Sequence, residues 1–160
     1  CFGDSSFDFI VINNVLEHIA NPIREIVHFH RILKKDGVLV LCIPDKNFVH
    51  WDKDRELTSF EHLWKEYQDD VTEVTPEHFH DLVPVDNPDA IKGSREWDEA
   101  LAHIVARRDH CHIWTSKTFK ELLETVFQKC AVPFKTVYES LSDTNHFEYF
   151  GVFRKICTKV

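Results

Sequence analysis

Residues Ser6–Pro44 read SFDFIVINNVLEHIANPIREIVHFHRILKKDGVLVLCIP and hold a strand, a crossover helix and a second strand in one stretch. Phe7 to Ile12 is an apolar run broken only by Asp8, and Val38 to Ile43 is a second one. Strands apolar on both faces belong inside a parallel sheet covered by helices, so the stretch predicts two adjacent parallel strands. Between them Asn21-Pro22 marks a helix start. Asn supplies the N-cap oxygen, and Pro at the first helical position lacks an N–H that would have no partner there. Ile23, Ile26, Val27 and Leu33 recur near the helical period, while Arg24, Glu25, Arg31 and Lys34 take the wet side. Lys34 and Lys35 are placed at the negative end of the helix dipole, and Asp36-Gly37 is read as its left-handed stop. Gly37 is thereby a helix terminator rather than a phosphate binder.

Beyond Pro44 the simple alternation ends. Residues 45–114 form a connection far longer than the usual loop of about 2–6 residues, and loops of that size at the ligand end of a sheet are generally functional. Within it Thr58 is read as the cap of a helix over 59–69, with Phe60, Leu63, Trp64 and Tyr67 as its apolar stripe. A short helix is expected near 76–82 and another over 96–107. Thr115 or Ser116 then caps an amphipathic helix over 116–130, whose Phe119, Leu122, Leu123 and Val126 face a core. Strands over 134–142 and 147–155 follow, joined by Asp143-Thr144-Asn145 as an antiparallel pair.

Length and composition fit one globular domain: 160 residues, 43% hydrophobic and 12% aromatic, are enough for a real core. A net charge of −8 argues against a nucleic-acid backbone as partner, since phosphate binding needs clustered Lys and Arg. No apolar run approaches the ~20 residues that span a bilayer, and CFGDSS lacks the basic start and apolar stretch of a signal peptide. Five scattered cysteines, at 1, 42, 111, 130 and 157, read as reduced thiols of a cytoplasmic protein. Met is absent even from position 1, so the chain is expected to begin inside a longer gene product or to have been cut.

The string carried by Asp4, Ser6, Phe7, Asp8, then Val15-Leu16-Glu17-His18, Asn21-Pro22, Arg31-Ile32-Leu33-Lys34, Asp36-Gly37 and Pro44 resembles the second half of a class I S-adenosylmethionine-dependent methyltransferase of the type 11-like kind. A second match, on Pro44, Asp45, Lys46, Asp52, Arg55, Thr58, His62, Leu63 and Tyr67, resembles a subset of that family, and His110, His112, Trp114 and Thr115 reproduce the subset's string before its next helix. The resemblance implies a Rossmann-like α/β fold: parallel strands, a terminal antiparallel hairpin, and 45–114 as a helical insertion or lid. Cys1 to Val160 would be the C-terminal portion of that domain. The family's glycine-rich cofactor turn is missing, because Gly3, Gly37, Gly93 and Gly151 include no G-x-G. The implied function is S-adenosylmethionine-dependent methyl transfer to a small-molecule acceptor, a hydroxyl or similar nucleophile, with this chain alone binding the cofactor weakly or not at all and inactive by itself.

In an open parallel sheet the strands' carboxyl ends face the ligand crevice, which puts Asn13 and Asn14 where a cofactor would be met. The resemblance implies that Asn13 contacts the methionine part of the cofactor, that Asp4 lies near the adenine, and that Glu17 belongs to the same site. A turn-forming role for Asp4, and a hydrogen-bonding role in the turn for Glu17 and His18, are the competing readings. For a hydroxyl acceptor a general base is needed, and His suits neutral pH. The candidates are His62, His110 and His112, with Asp45 and Asp52 as orienting carboxylates and Arg55 as a clamp for an anionic substrate. Each His also has a plain reading as a structural hydrogen bonder. The prediction is that His62 and His110 or His112 converge on one pocket beside Asn13, under a lid made by 59–107.

His78-Phe79-His80 and His110-Cys111-His112 supply residue types that zinc accepts, but neither has the tight pairs of a structural zinc motif, and no metal site is expected. A nicotinamide-dependent oxidoreductase is disfavoured by the terminal hairpin and by the missing glycine turn. The alternative from another class is a non-catalytic methyltransferase-like interaction domain.

Overall fold

The structure, a computed structural model, describes residues 2–156. Strand β1 (Phe7–Asn13) runs parallel to β2 (Leu33–Pro44), and α1 (Pro22–Ile32) is the crossover between them. The chain then passes through α2 (Phe60–Gln68), the short α3 (Val83–Asp86), α4 (Arg95–Arg107) and α5 (Ser116–Lys129). It closes with β3 (Phe134–Ser140), the single turn α6 (Ser142–Asn145) and β4 (Glu148–Lys155). The sheet has four strands in the order β1-β2-β4-β3, with β4 antiparallel to both β2 and β3. The expected α/β architecture, a parallel pair continued by an antiparallel hairpin in one sheet, is the observed one.

One face of the sheet holds the core. Leu39, Leu41 and Ile43 of β2 and Tyr149 and Phe153 of β4 pack with Ile26 of α1 and Phe119 of α5. A second, smaller cluster joins Phe79, Leu82, Trp97, Ile104 and Cys111, so the segment between α2 and α5 carries an apolar centre of its own. The two ends of that segment meet. The Lys46 N–H donates to Trp114 O at 2.9 Å, the Thr58 N–H to Ile113 O at 2.9 Å, and the Ser116 N–H to the Asp45 carboxylate at 2.6 Å. Asp45 also accepts from the Asn47 N–H and the Ser142 hydroxyl, so one buried carboxylate ties the end of β2 to the starts of α5 and α6. Burial works to raise its pKa, but those donors outweigh it and hold the carboxyl below its ordinary value.

Several sequence expectations need correction. Helix α1 ends at Ile32, with Leu33 already extended and paired to Phe7, and does not run on to Lys35. Pairing resumes at Phe9 with Val38, so Lys34 to Gly37 bulge out of the ladder. The left-handed residue there is Asp36, at φ 62°, and Gly37 serves close approach: a Cβ on it would stand 2.9 Å from Lys34 O and 3.2 Å from Asp8 O. Strand β1 lies at the sheet edge among the described residues, and only part of its apolar run reaches the core. Phe7, Ile10 and Ile12 pack inward, whereas Phe9 and Val11 are 68% and 57% exposed. Helix α2 is capped by Ser59 rather than Thr58, whose hydroxyl instead accepts from the Ile113 N–H at 2.8 Å. The helix expected near 76–82 is a 3-10 turn at Pro76–Phe79 followed by α3, because Pro84 restarts the chain one residue into α3. Cys42, Cys111 and Cys130 are free thiols, while Cys1 and Cys157 lie outside the described residues. No helix among those residues is long and apolar enough to cross a membrane.

Candidate functional site

The carboxyl end of β1 delivers the chain into Asn14, in the left-handed region at φ 51°, and then into a 3-10 turn at Leu16–His18. The Asn14 N–H donates to Cys42 O at 3.0 Å, which keeps the turn against the end of β2. Asn13 and Asn14 are exposed there, at the mouth of the crevice expected beyond the strands. The turn itself is held by the returning segment: the N–H groups of Cys111 and His112 both donate to Glu17 O, at 2.8 and 3.1 Å, and His18 Nδ1–H donates to Arg108 O at 2.9 Å. His18 therefore has the turn-fixing role that competes with substrate contact. Asp4 lies apart, exposed and ion-paired with Arg31.

Two polar clusters flank this turn. The first contains Glu17, His18, His110, Asp52 and Arg55. His110 Nδ1 lies 2.5 Å from an Asp52 carboxylate oxygen, which fixes Nδ1 as the protonated nitrogen and leaves the Nε2 lone pair 4.0 Å from Glu17 Oε1. Asp52 is itself buried and paired with Arg55 Nη1 at 3.1 Å. Arg55 is 1% exposed in its side chain and uses all five of its N–H groups. They reach Asp52, both oxygens of Asp81, His110 O and His78 O at 2.8 to 3.2 Å, which leaves no donor for a substrate anion. Trp51, half exposed, lies beside the His110 ring at 6.3 Å between centroids.

Glu17 is fully buried, and neither carboxyl oxygen has a hydrogen-bond partner from another residue. Burial pushes its pKa up to about 7, against the smaller opposing pull of its own backbone N–H and of His110. A carboxyl whose folded pKa is raised favours the folded state while protonated, and that advantage disappears as pH climbs from 4.5 to about 7. The size of the shift corresponds to about 3 kcal/mol. Glu17→Gln is therefore expected to remove this loss: urea midpoints followed from pH 4.5 to 8 should decline less in the variant than in the wild type by roughly that amount. Parallel curves would mean that Glu17 is not held in an apolar site.

The second cluster is on the other side of the turn. His62 and Glu66 stand one helical turn apart on α2, His78 comes from the Pro76–Phe79 turn, and His112 from the segment before α5. Their rings pack edge-on, with centroids 5.4 to 5.7 Å apart. His78 Nε2 meets Glu66 Oε1 at 2.7 Å, and that contact, outweighing burial, raises the His78 pKa. Burial drives His112 the other way, to about 3, with His78 and His62 adding to the effect. The cluster opens on a cleft of about 680 Å³ lined by His62, Glu66, His78, Thr58 and Cys111.

Of the residues singled out from the sequence, His62 and His112 thus come together, while His110 joins Asp52, Arg55 and Glu17 in the separate first cluster. Glu66 and His78 were not among the candidates. His78 stood in a flagged His-Phe-His string, and Glu66 follows His62 by four positions on a predicted helix, a spacing that could have drawn attention to it.

A four-stranded sheet with a parallel pair, an antiparallel hairpin and helices packed on its core defines an α/β domain. A family model described as a methyltransferase domain matches residues 2–126, and the chain belongs to that family. Over 46 residues it is 41% identical to the uncharacterized protein MJ1123 of Methanocaldococcus jannaschii, a stretch amounting to 29% of this chain and 22% of that protein. Among solved structures it is similar to the CurJ carbon methyltransferase, with TM-score 0.44 and 12% identity over 98% of this chain and 31% of that one. It is also similar to the [4+2]-cyclase SpnF, with TM-score 0.36 and 17% identity over 98% of this chain and 52% of that one. A third is phosphoethanolamine N-methyltransferase 2 of Haemonchus contortus in complex with S-adenosyl-L-methionine, with TM-score 0.31 and 12% identity over 99% and 35%. The matched part is 22% to 52% of the length of each of these proteins.

Proposed function

We propose that this chain is the acceptor-side part of an S-adenosylmethionine-dependent methyltransferase acting on a hydroxyl, or a nucleophile of similar pKa, of a small molecule. The observation that carries the reading is the Asp52–His110 pair beyond the carboxyl end of the parallel strands, in a chain of the methyltransferase family. S-adenosylmethionine, when bound, supplies a methyl group on a positively charged sulfur. The exposure of Asn13 and Asn14 just past the end of β1 supports their holding part of the cofactor, as does the buried Glu17 carboxyl in the turn that follows, which no other residue hydrogen-bonds. The glycine turn that would hold the rest is not in this sequence.

His110 acts as the base. With S-adenosylmethionine bound, His110 Nε2 would take the proton of an acceptor hydroxyl, while Asp52 would hold Nδ1–H and stabilise the imidazolium. The test is to incubate the complete natural polypeptide with S-adenosylmethionine bearing a deuterated methyl group and a small-metabolite extract, and to look for the labelled product by mass spectrometry. A labelled O-methyl product is expected, and Asn13→Ala should weaken cofactor binding about tenfold, the loss of roughly one charge-assisted or well-placed hydrogen bond. A label appearing on no acceptor would favour the interaction-domain reading.

A further inference from the structure

We propose that His62, Glu66, His78 and His112 form a binding site for one divalent transition-metal ion, Zn²⁺ by the chemistry of the donors, that pins the segment between β2 and α5. The inference stands on this cluster alone and does not depend on methyl transfer. One donor atom from each of the four residues lies within 4.8 Å of every other. Glu66 Oε1 is 3.2 Å from His62 Nε2 and 2.7 Å from His78 Nε2, and Glu66 Oε2 is 3.5 Å from His112 Nε2. Donors at the corners of a tetrahedron with bonds of about 2.0–2.1 Å to zinc stand about 3.3 Å apart, so the three histidines already stand near that distance from Glu66 and the rings need to draw together by no more than about 1.5 Å to close on an ion. Three imidazoles and one carboxylate suit Zn²⁺ and its borderline neighbours, and do not suit Ca²⁺ or Mg²⁺.

Packing alone accounts poorly for the arrangement. His112 is fully buried in its side chain, and its Nε2 stands 3.5 Å from Glu66 Oε2, which is likewise buried without a hydrogen-bond partner. Each such group destabilises the fold if nothing meets it. A cation between them satisfies His112 Nε2 and Glu66 Oε2 together and relieves the crowding of three rings around one carboxylate.

The surroundings also orient the ligands. His78 Nδ1–H donates to Thr75 O at 3.1 Å, so that an ion can take the place of the proton that Nε2 shares with Glu66 Oε1. The backbone of each ligand is tied down separately: the His62 N–H donates to Ser59 Oγ at 3.2 Å, Glu66 O accepts from Asn21 Nδ2 at 3.0 Å, His78 O from Arg55 at 3.2 Å, and the His112 N–H donates to Glu17 O at 3.1 Å. Residues far apart in sequence are thus fixed before any ion arrives. Four protein donors fill a tetrahedral shell, which makes the site structural rather than catalytic, and the half-exposed His62 at the cleft gives the ion its way in. The other group of donors, Glu17, His18 and His110, has only three members, at 3.8 and 4.0 Å from the carboxylate, and His110 is already committed to Asp52.

The test uses untagged complete polypeptide. Elemental analysis after gel filtration should find close to one zinc per chain, dipicolinate should remove it with a fall in melting temperature, and added Zn²⁺ should restore the temperature. Competition against a chromophoric chelator should show His62→Ala weakening zinc at least tenfold, since loss of even a supporting residue costs about 10–100-fold. His62 is exposed and its loss leaves the fold intact, so this variant remains informative if His112→Ala does not fold. Co²⁺ in place of zinc should give the visible absorption of a tetrahedral site, and Glu66→Gln should alter it. Protein that retains no metal and whose melting ignores both zinc and chelator overturns the proposal, as does zinc held with unchanged affinity by both His62→Ala and Glu66→Gln.

Discussion

Arg55→Ala is expected to destabilise the fold by about 3–5 kcal/mol, the cost of leaving buried partners of a removed charge uncompensated. The guanidinium joins residues 52, 78, 81 and 110, and its side chain and that of Asp52 are almost wholly buried. Without it the buried Asp52 carboxylate loses its cation, Asp81 loses a two-oxygen fork, and the carbonyls of His78 and His110 lose donors. At about 2–4 °C per kcal/mol for a chain of this size, the melting temperature should fall by roughly 10 °C. Arg55→Lys should recover less than half, because an ammonium carries the charge but cannot span four acceptor groups in a plane. Melting within about 1 kcal/mol of wild type, combined with a raised KM for the acceptor, would instead return Arg55 to the substrate-clamp role that its sequence context suggests.

His110→Ala is expected to slow methyl transfer by about 10²–10⁴-fold, the usual contribution of a positioned general base. The effect should lie in kcat, since His110 is placed to act on the acceptor's proton and not on the cofactor. The variant should fold, because what Arg55 needs from residue 110 is its carbonyl oxygen, which alanine keeps. His62→Ala and His112→Ala probe the other cluster and should not show this loss in kcat.

Much of the fold could be read from the chain because it depends on local pattern. Asn21-Pro22 starts α1 as its residue types require, with the Asn21 side chain accepting from the Arg24 N–H, and the apolar period of 116–130 gives α5 to within one residue. What escaped depends on neighbours in space. Gly37 looked like a helix stop because a glycine after two lysines usually is one; its reason is the backbone of Lys34 and Asp8 passing close by, which no pattern encodes. The apolar run of β1 could announce two apolar faces but not what lies against each, and Phe9 and Val11 are exposed.

The site shows the same division. Asp52 and Arg55 lie three residues apart and their pairing was within reach of the sequence, but Asp81, the second carboxylate on the fork, comes from a different turn. The spread of His62, Glu66, His78 and His112 over three segments hides a four-donor cluster from any test of spacing, and only folding brings them together. Glu17 was legible as a family-like residue, yet its raised pKa arises from full burial, which is a property of the assembled molecule.

The most direct test of the account is single-turnover transfer of a deuterated methyl group from saturating S-adenosylmethionine to the labelled-product acceptor, in the complete polypeptide, comparing wild type with His110→Ala. The account predicts a rate at least about 100-fold lower in the variant, with the cofactor dissociation constant unchanged within about twofold. Equal rates in the two proteins would contradict it, and would leave the Asp52–His110 pair as a structural hydrogen bond.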